Sequence, residues 1–169
     1  MAGEENQKIS TPMKLLFTLG GGGHTTEMLK LINLLGEGYE YHYLLVKEVE
    51  FARSKIPYSG KIHEIRRPRG RYDNLAMTVY NSIIAMGQMS IILLRVRPDA
   101  IIGSGPAISV LVSFLGKLIG AKVIFVETGC RVTALSLSGK IMYQIADLFF
   151  VQWPILASER PKSIYAGRL

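Results

Sequence analysis

Three loop segments follow short apolar runs, and this arrangement constrains the fold more than any other feature of the sequence. The segments are residues 19–27, 102–107 and 125–129. Each lies where a strand would end and the next helix would begin. Because parallel strands end at the same edge of a sheet, we expect the three segments to line one binding crevice.

Strands and helices alternate along the rest of the chain. Apolar runs predict strands at 14–19, 41–46, 61–65, 100–103, 122–127 and 148–152, and a short edge strand at 163–165. Helical periodicity predicts helices at 26–35, 48–55, 75–95, 107–119 and 135–145. This alternation predicts an α/β fold, a Rossmann-like doubly wound parallel sheet, with the strand at 61–65 near an edge.

The length predicts one domain. The chain has 169 residues, of which 1–12 are polar and predict a flexible lead-in, leaving 13–169 as a single domain. Only a short tail follows Trp153 and Pro154, so we expect no second nucleotide-binding half. The single cysteine, Cys130, excludes a disulfide framework.

The net charge of +7 predicts an anionic partner. No aromatic-rich RNA-binding strand and no zinc-finger spacing accompany the charge, so we expect no nucleic acid partner. A diphosphate or a membrane surface fits better. The candidates for that contact lie in one loop, with a solvated basic loop as the alternative: Arg66, Arg67, Arg69 and Arg71.

A long apolar stretch, residues 75–94, follows this basic loop. Asn81, Ser82, Gln88 and Ser90 interrupt it, and it lies between strands of one sheet. We therefore expect it to be buried or to dip into the membrane face rather than to span the bilayer. Core packing is an equally good interpretation of its methionine-rich stripe.

The first glycine loop is the strongest candidate site. Consecutive glycines let the backbone approach a ligand, and the helix that follows directs its N–H groups at an anion. The loop lacks the third glycine of a dinucleotide fingerprint and the Gly-Lys-Ser/Thr of a P-loop. A ligand-free turn is the alternative, as is helix capping by the threonines. Glu27 is expected to face a sugar hydroxyl or solvent. The predicted phosphate contacts here are Gly21, Gly22, Gly23 and Thr25.

Gly103, Ser104 and Gly105 form a second turn of this kind, on the same predicted edge. His24 and Glu127 are the candidate general bases beside the two loops. Glu127 closes an apolar strand, and a carboxylate is costly to bury, so we expect it at the open rim. The alternatives are a packing role for His24 and a salt bridge from Glu127 to Arg131. The histidines and the cysteine lack metal-ligand spacing, so no metal site is predicted.

Several motifs together resemble one known family. They are Gly-Gly-Gly-His-Thr-Thr-Glu-Met (21–28), Arg-Pro-Asp (97–99), Gly-Ser-Gly-Pro (103–106), Val-Glu-Thr-Gly-Cys-Arg-Val (126–132), Leu-Ser-Leu-Ser-Gly-Lys-Ile (135–141), Phe-Val-Gln-Trp-Pro (150–154) and the tail 161–169. The family is the acceptor-binding subunit of the UDP-N-acetylglucosamine transferase that adds the second sugar of the dolichol-linked oligosaccharide. Similar subunits occur in bacterial capsular and exopolysaccharide synthesis, and both groups resemble the N-terminal half of MurG.

The resemblance implies one half of a GT-B glycosyltransferase. It places Gly21, Gly22, Gly23 and His24 in one acceptor loop, Gly103, Ser104 and Gly105 in the other, and Glu127 where the family carries a carboxylate. It implies a small donor-binding catalytic partner that holds the UDP-sugar, a lipid-diphosphate-linked sugar as acceptor, and no cofactor on this chain. The isolated chain is then expected to be inactive.

The resemblance also implies attachment to the cytosolic face of a membrane, the endoplasmic reticulum in a eukaryote or the plasma membrane in a prokaryote. Eukaryotic members usually begin with a hydrophobic anchor helix, whereas this chain begins Met-Ala-Gly-Glu-Glu. We expect either a removed anchor or a prokaryotic member that binds the membrane peripherally. Two other functions remain open: a self-sufficient phosphosugar- or nucleotide-binding enzyme, and a non-catalytic membrane scaffold for a partner enzyme.

Overall fold

A seven-stranded parallel sheet forms the centre of the protein in the computed structural model, which describes residues 11–47, 50–68 and 74–169. The strand order is β3-β2-β1-β4-β5-β6-β7. The strands are β1 (Lys14–Leu19), β2 (Glu40–Val46), β3 (Lys61–Ile65), β4 (Ala100–Gly103), β5 (Lys122–Val126), β6 (Leu148–Val151) and β7 (Ser163–Tyr165). The predicted doubly wound α/β fold is confirmed, and β3 and β7 are the edges.

Six helices connect the strands. They are α1 (Gly23–Leu35), α2 (Glu50–Arg53), α3 (Leu75–Val96), α4 (Ala107–Leu118), α5 (Leu137–Ile145) and α6 (Pro154–Glu159). Three starts differ from the prediction: α1 begins three residues earlier, α5 two residues later, and α2 is described only from Glu50, since residues 48 and 49 lie outside the described ranges. Helix α6 was not predicted, although Pro154 at its first turn is a typical start. Residues 1–10, most of the predicted lead-in, lie outside the described ranges.

Both faces of the central strands are buried, as expected for a parallel sheet. Alternate residues of β1 show this: Phe17 packs with Met28 and Ile32 of α1, while Leu16 packs with residues of α3 and α4. A third cluster around Phe125 and Phe149 packs the far end of the sheet under α5. The core therefore holds the carboxyl ends of β1, β4 and β5 rigidly side by side.

Helix α3 is long and apolar enough to cross a membrane by length and composition. One stripe packs on the sheet through five buried residues: Asn81, Ala85, Met89, Leu93 and Val96. The opposite face exposes large apolar side chains instead: Leu75, Met77, Val79, Tyr80, Ile83, Met86, Ile91 and Leu94. The helix is therefore a core element on one side only.

An apolar groove of about 340 Å³ lies on the α1 side of the sheet, beyond the part that α1 covers. Its floor is formed by side chains of β4, β5 and β6, including Ile102, Ile124 and Phe150. Leu31 on α1 forms one wall, and the tail residues 166–169 form the other. We call this feature the tail groove.

The amino edge of the sheet carries a small polar cluster. Nδ1 of His42 lies 2.9 Å from Nε2 of His63, and Nε2 of His42 lies 3.0 Å from Glu40 Oε1. Burial lowers the pKa of His63, and the neighbouring His42 and Lys61 lower it further. Within the described ranges, no group of three His, Cys, Asp or Glu side chains is arranged to hold a metal ion.

Candidate functional site

The two glycine loops lie side by side at the carboxyl edge of the sheet. Strand β1 pairs with β4 on one side and with β2 on the other, so the chain reverses its direction of travel across the sheet at β1. Open α/β sheets bind ligands at such a switch point, beyond the carboxyl ends of the strands. The loop after β1 and the loop after β4 both lie there.

The first glycine loop is open to solvent. Gly21, Gly22 and Gly23 are exposed, and a Cβ atom added to any of them would meet no other atom within 4 Å. Gly22 caps α1 with a φ of 76° and offers no side-chain acceptor to the first N–H groups of the helix. The positive end of the helix dipole therefore faces open space.

Thr25 shapes this loop from behind. Its side chain is buried, and its hydroxyl donates a hydrogen bond to the carbonyl oxygen of Gly20. The Thr25 hydroxyl, which was predicted to contact phosphate, therefore donates its hydrogen bond to the protein backbone instead. A Cβ on Gly20 would lie 2.6 Å from the ring of Pro106, so the two glycine loops also contact each other.

The second glycine loop is filled by the protein's own side chains. A Cβ on Gly103 would lie 2.5 Å from the Thr18 hydroxyl. Gly105 has a φ of 66°, and its Cβ would lie 2.2 Å from Nδ1 of the His24 ring. Ser104 is buried, and its carbonyl accepts a hydrogen bond of 3.2 Å from the Ser109 hydroxyl. Gly105 thus makes room for the imidazole of His24, and Gly103 makes room for the Thr18 hydroxyl.

His24 connects the two loops. It is half-buried in the first turn of α1, and its Nδ1 lies 3.4 Å from the Ser104 hydroxyl. Its ring packs against the backbone of Gly105 and borders the cavity described below. His24 was predicted at the mouth of the first loop, and in the structure it contacts the second loop as well.

Glu127 is fully buried, so its predicted position at the open rim is wrong. Oε1 accepts a hydrogen bond of 3.0 Å from the Thr128 N–H, and Oε2 accepts bonds of 2.9 and 3.0 Å from the Ser136 N–H and hydroxyl. The carboxylate also lies at the N-terminus of α5, where the helix dipole favours negative charge. These contacts offset the cost of burying the charge.

Gly139 creates the space for this carboxylate. A Cβ at position 139 would lie 1.8 Å from Oε2 of Glu127. Ser136 caps α5 by accepting a hydrogen bond of 2.9 Å from the Gly139 N–H. The motif Leu-Ser-Leu-Ser-Gly thus provides both a helix cap and the space for a carboxylate. A serine is a typical N-cap residue, so Ser136 is the sequence feature that could have predicted where α5 begins.

Glu27 holds the same loop from the other side. Its Oε1 accepts hydrogen bonds of 3.1 Å from the Thr128 hydroxyl and 2.9 Å from the Gly129 N–H. Its Oε2 is buried and has no hydrogen-bond partner among the described residues. Glu27 was expected to face a sugar hydroxyl or solvent; it instead links α1 to residues 128 and 129.

The C-terminal segment reaches this loop as well. The Trp153 indole N–H donates a hydrogen bond of 2.7 Å to the Gly129 carbonyl, and the Arg168 guanidinium lies 4.7 Å from the centre of the indole ring. The Gln152 side chain donates to the Glu127 carbonyl and accepts from the Leu169 N–H. Loop 128–136 is therefore tied to α1, α5 and the tail.

These elements enclose a cavity of about 310 Å³ at the carboxyl edge. It is lined by Gly23, His24, Gly105, Thr128, Cys130, Arg131 and Ser136. The first three of these residues were predicted site residues, Thr128 lies in the segment 125–129 that was expected to line the crevice, and Arg131 was predicted only as a possible ion-pair partner. Cys130 and Ser136 were missed because nothing local in the sequence shows that loop 128–136 folds back over the first glycine loop.

The two predicted arginines that the structure describes lie elsewhere. Arg66 is tied to α3: its N–H donates a hydrogen bond of 2.8 Å to the Gln88 side chain, and its guanidinium lies 6.0 Å from the centre of the Tyr80 ring. Arg66 and Arg67 are exposed and do not line the cavity. Arg69 and Arg71 lie outside the described residues.

Comparisons with known proteins agree on one family. A family model described as "Oligosaccharide biosynthesis protein Alg14 like" matches residues 15–169. The mouse protein named UDP-N-acetylglucosamine transferase subunit ALG14 is 33% identical over 180 residues, covering 93% of this chain and 83% of the mouse protein. The subunit of the same name from Schizosaccharomyces pombe is 33% identical over 171 residues, covering 90% and 81%.

Solved structures agree on the fold. Acinetobacter baumannii MurG matches with a TM-score of 0.73 at 17% identity, covering 94% of this chain and 46% of the MurG chain. A UDP-N-acetylglucosamine 2-epimerase from Neisseria meningitidis matches with a TM-score of 0.68 at 14% identity, covering 92% and 47%. The chain thus spans about half the length of these structures, and the predicted similarity to one half of a GT-B glycosyltransferase is confirmed for the fold.

Proposed function

The chain belongs to the Alg14 family, and on this premise we propose that it is the acceptor-binding subunit of a two-component UDP-N-acetylglucosamine transferase. The observation that carries the proposal is the cavity between the first glycine loop and loop 128–136, at the switch point of the sheet. The acceptor is a sugar linked to a lipid diphosphate. The UDP-sugar binds to a partner chain, and this chain holds no cofactor.

The open glycine loop binds the acceptor's diphosphate. Gly21, Gly22 and Gly23 leave room for phosphate oxygens, and the first N–H groups of α1 have no side-chain cap. A helix N-terminus with free donors favours an anion. Ser104 and Gly105 contact the His24 ring and Gly103 packs against Thr18, so this second loop supports the first loop rather than contacting phosphate directly.

His24 accepts the proton of the attacking sugar hydroxyl. It borders the cavity, its ring orientation is set by Gly105, and an imidazole is suited to this role near neutral pH. Attack by that hydroxyl on the donor's anomeric carbon releases UDP and inverts the configuration. Glu127 is the second candidate base, but its burial and three hydrogen bonds favour a role in positioning loop 128–136.

The tail groove is the surface we assign to the donor-binding partner. Its floor is an apolar part of the sheet, and the described part of the chain leaves it without a covering helix. Relatives of this chain are named as subunits, and the matching MurG chain is about twice as long. A second chain is therefore expected to complete the crevice, and the groove is apolar enough for a stable contact.

The exposed face of α3 contacts the membrane on its cytosolic side. Large apolar side chains are exposed on α3, and Phe114 and Leu118 add to them on α4, which packs beside it. The Arg66 guanidinium lies beside this face, 6.0 Å from the centre of the exposed Tyr80 ring. Apolar contact together with basic side chains predicts peripheral binding to anionic lipid that weakens in high salt. Retention of the chain in the membrane after alkaline carbonate would show integral insertion instead.

Transfer assays with and without the partner test the proposed function. We expect the purified chain to transfer no sugar from UDP-N-acetylglucosamine to a lipid-diphosphate-linked acceptor, and the complex with a donor-binding subunit to do so. Transfer by the isolated chain at the rate of the complex would favour a self-sufficient enzyme. Unchanged turnover of the complex after changes in both glycine loops would favour a scaffold.

A further inference from the structure

Arg131 lines the same cavity as Gly23 and His24, in the part of the lining that loop 128–136 forms. It follows β5 in the loop that leads to α5, and its backbone N–H donates a hydrogen bond of 3.0 Å to the Thr128 carbonyl. Its side chain is exposed and makes no ion pair with any carboxylate in the described ranges. The salt bridge to Glu127 considered from the sequence is therefore absent, and the guanidinium is available.

The nearby acidic side chains do not compete for this guanidinium. Glu27 is engaged by the Thr128 hydroxyl and the Gly129 N–H. Glu127 is engaged by the Thr128 N–H and by both donors of Ser136. Both carboxylates lie behind the loop, and neither lines the cavity.

The same hydrogen bonds remove the backbone donors of this wall. The N–H groups of Thr128, Gly129 and Ser136 all point to carboxylates, and the Cys130 N–H is directed at the Thr128 hydroxyl at 3.4 Å. Of the lining residues in loop 128–136, Thr128, Cys130, Arg131 and Ser136 all direct their backbone N–H groups at oxygen atoms of the protein. On the side of loop 128–136, the cationic group that the cavity offers is Arg131.

We infer that Arg131 binds the acceptor's diphosphate together with the N-terminus of α1. The inference rests on the proposed function, because it assigns a further ligand to the same acceptor. A diphosphate presents two anionic groups, and one cavity is lined by two positive features, the uncapped start of α1 and the Arg131 side chain. Arginine binds phosphate oxygens through two parallel N–H groups, so Arg131 also sets the orientation of the acceptor.

Acceptor titrations of the two-chain complex at saturating UDP-N-acetylglucosamine test this assignment. We expect Arg131→Gln to raise the KM for a lipid-diphosphate-linked N-acetylglucosamine acceptor by about 10-fold to 100-fold, the worth of a charge-assisted hydrogen bond. Arg131→Lys keeps the charge and loses the paired geometry, so its KM should lie between the two. The donor KM should not change in either variant.

Lys140→Gln is the matched control, because Lys140 is exposed on α5, carries the same charge and does not line the cavity. It should leave the acceptor KM at the wild-type value. Thermal melting should give the same Tm for all variants, since both side chains are exposed. The rate of the wild-type complex should also fall more steeply with ionic strength than that of Arg131→Gln.

An unchanged acceptor KM in an active Arg131→Gln complex would overturn the assignment. So would a loss confined to the donor KM or to partner affinity, which would place Arg131 at the donor site or at the interface. Failure of the wild-type complex to elongate the acceptor would instead overturn the proposed function.

Discussion

The two glycine loops at the carboxyl edge look alike in the sequence and use their glycines in opposite ways. Around Gly21, Gly22 and Gly23 the space that a side chain would occupy is empty. Around Gly103 and Gly105 it is taken by Thr18 and His24, and around Gly139 by Glu127. A glycine beside empty space leaves room for a ligand, whereas a glycine beside a packed side chain supports the architecture of the site.

This difference separates binding from positioning. Substitutions in the open loop should affect ligand affinity and leave the fold intact. Substitutions at the packed glycines should change stability or the orientation of His24. Five experiments follow in decreasing order of expected effect; four test this distinction, and the last tests the amino edge.

Gly139→Ala should have the largest effect. The new methyl group would overlap Oε2 of Glu127 and displace a buried carboxylate from its donors. We expect the free energy of unfolding to fall by about 3 kcal/mol, combining overpacking with lost hydrogen bonds to a charge. Urea denaturation of the purified chain measures this. Wild-type stability would mean that the carboxylate can relocate at little cost.

Gly105→Ala should lower the turnover of the complex as much as removal of the His24 side chain does. Its methyl group would meet the imidazole, and its φ of 66° disfavours any side chain. We expect Gly105→Ala and His24→Ala each to lower kcat of the complex by about 100-fold, the usual worth of a general base. Because both act through one ring, the double variant should be no worse than either single variant.

Glu127→Gln distinguishes the two candidate bases. The amide has the shape of the carboxylate, but its NH₂ group is a donor that would face donors of the protein. We therefore expect the free energy of unfolding to fall by about 2 kcal/mol. If kcat at saturating acceptor falls more in Glu127→Gln than in His24→Ala while the complex stays folded, the assignment of the base to His24 is wrong. Wild-type rates in both variants would place the proton acceptor in the partner chain.

Gly21→Ala should leave the fold unchanged. Its Cβ meets no atom and its backbone needs no positive φ. The free energy of unfolding should stay the same or rise by up to about 1 kcal/mol. The acceptor KM should rise by about tenfold, because a methyl group would stand where phosphate approaches. An unchanged KM would mean that the first loop is a ligand-free turn.

Lowering the pH should have the smallest effect on the fold, and we assign it to the amino edge rather than to the cavity. His63 has a lowered pKa, so the unfolded chain binds more protons than the folded chain between that value and 6.5. Stability should therefore decrease as the pH falls below about 6.5. His63→Gln should flatten this dependence in thermal melts, and an equally steep dependence in the variant would place its origin elsewhere.

Local pattern was sufficient for much of this architecture. The alternation of apolar runs with helical stripes predicted the strands and most of the helices, and the glycines predicted which loops meet at the switch point. The buried state of Glu127 was not predictable in this way. Its donors include Ser136, nine residues along the chain, and its space depends on Gly139. The hydrogen bonds and the space that allow the Glu127 carboxylate to be buried can therefore be recognised only in the folded loop.

Arg131 illustrates the same limit. In the sequence it is one of 20 basic residues, and its nearest acidic neighbour suggested an ion pair. The structure shows that Glu127 and Oε1 of Glu27 accept hydrogen bonds from backbone and hydroxyl donors instead. Four of these five donors belong to residues at least nine positions away from the carboxylate that they bind, so the local sequence does not reveal the pairing.

The contact between Trp153 and Gly129 makes the site optically observable. Trp153 is the only tryptophan in the sequence, so all indole emission from the isolated chain originates at this position. Its N–H is bonded to a carbonyl of the loop that lines the cavity, and its ring faces Arg168 in the wall of the tail groove. One chromophore therefore reports on both surfaces: an acceptor that shifts loop 128–136 and a partner chain that displaces the tail would each change its emission, without any added label.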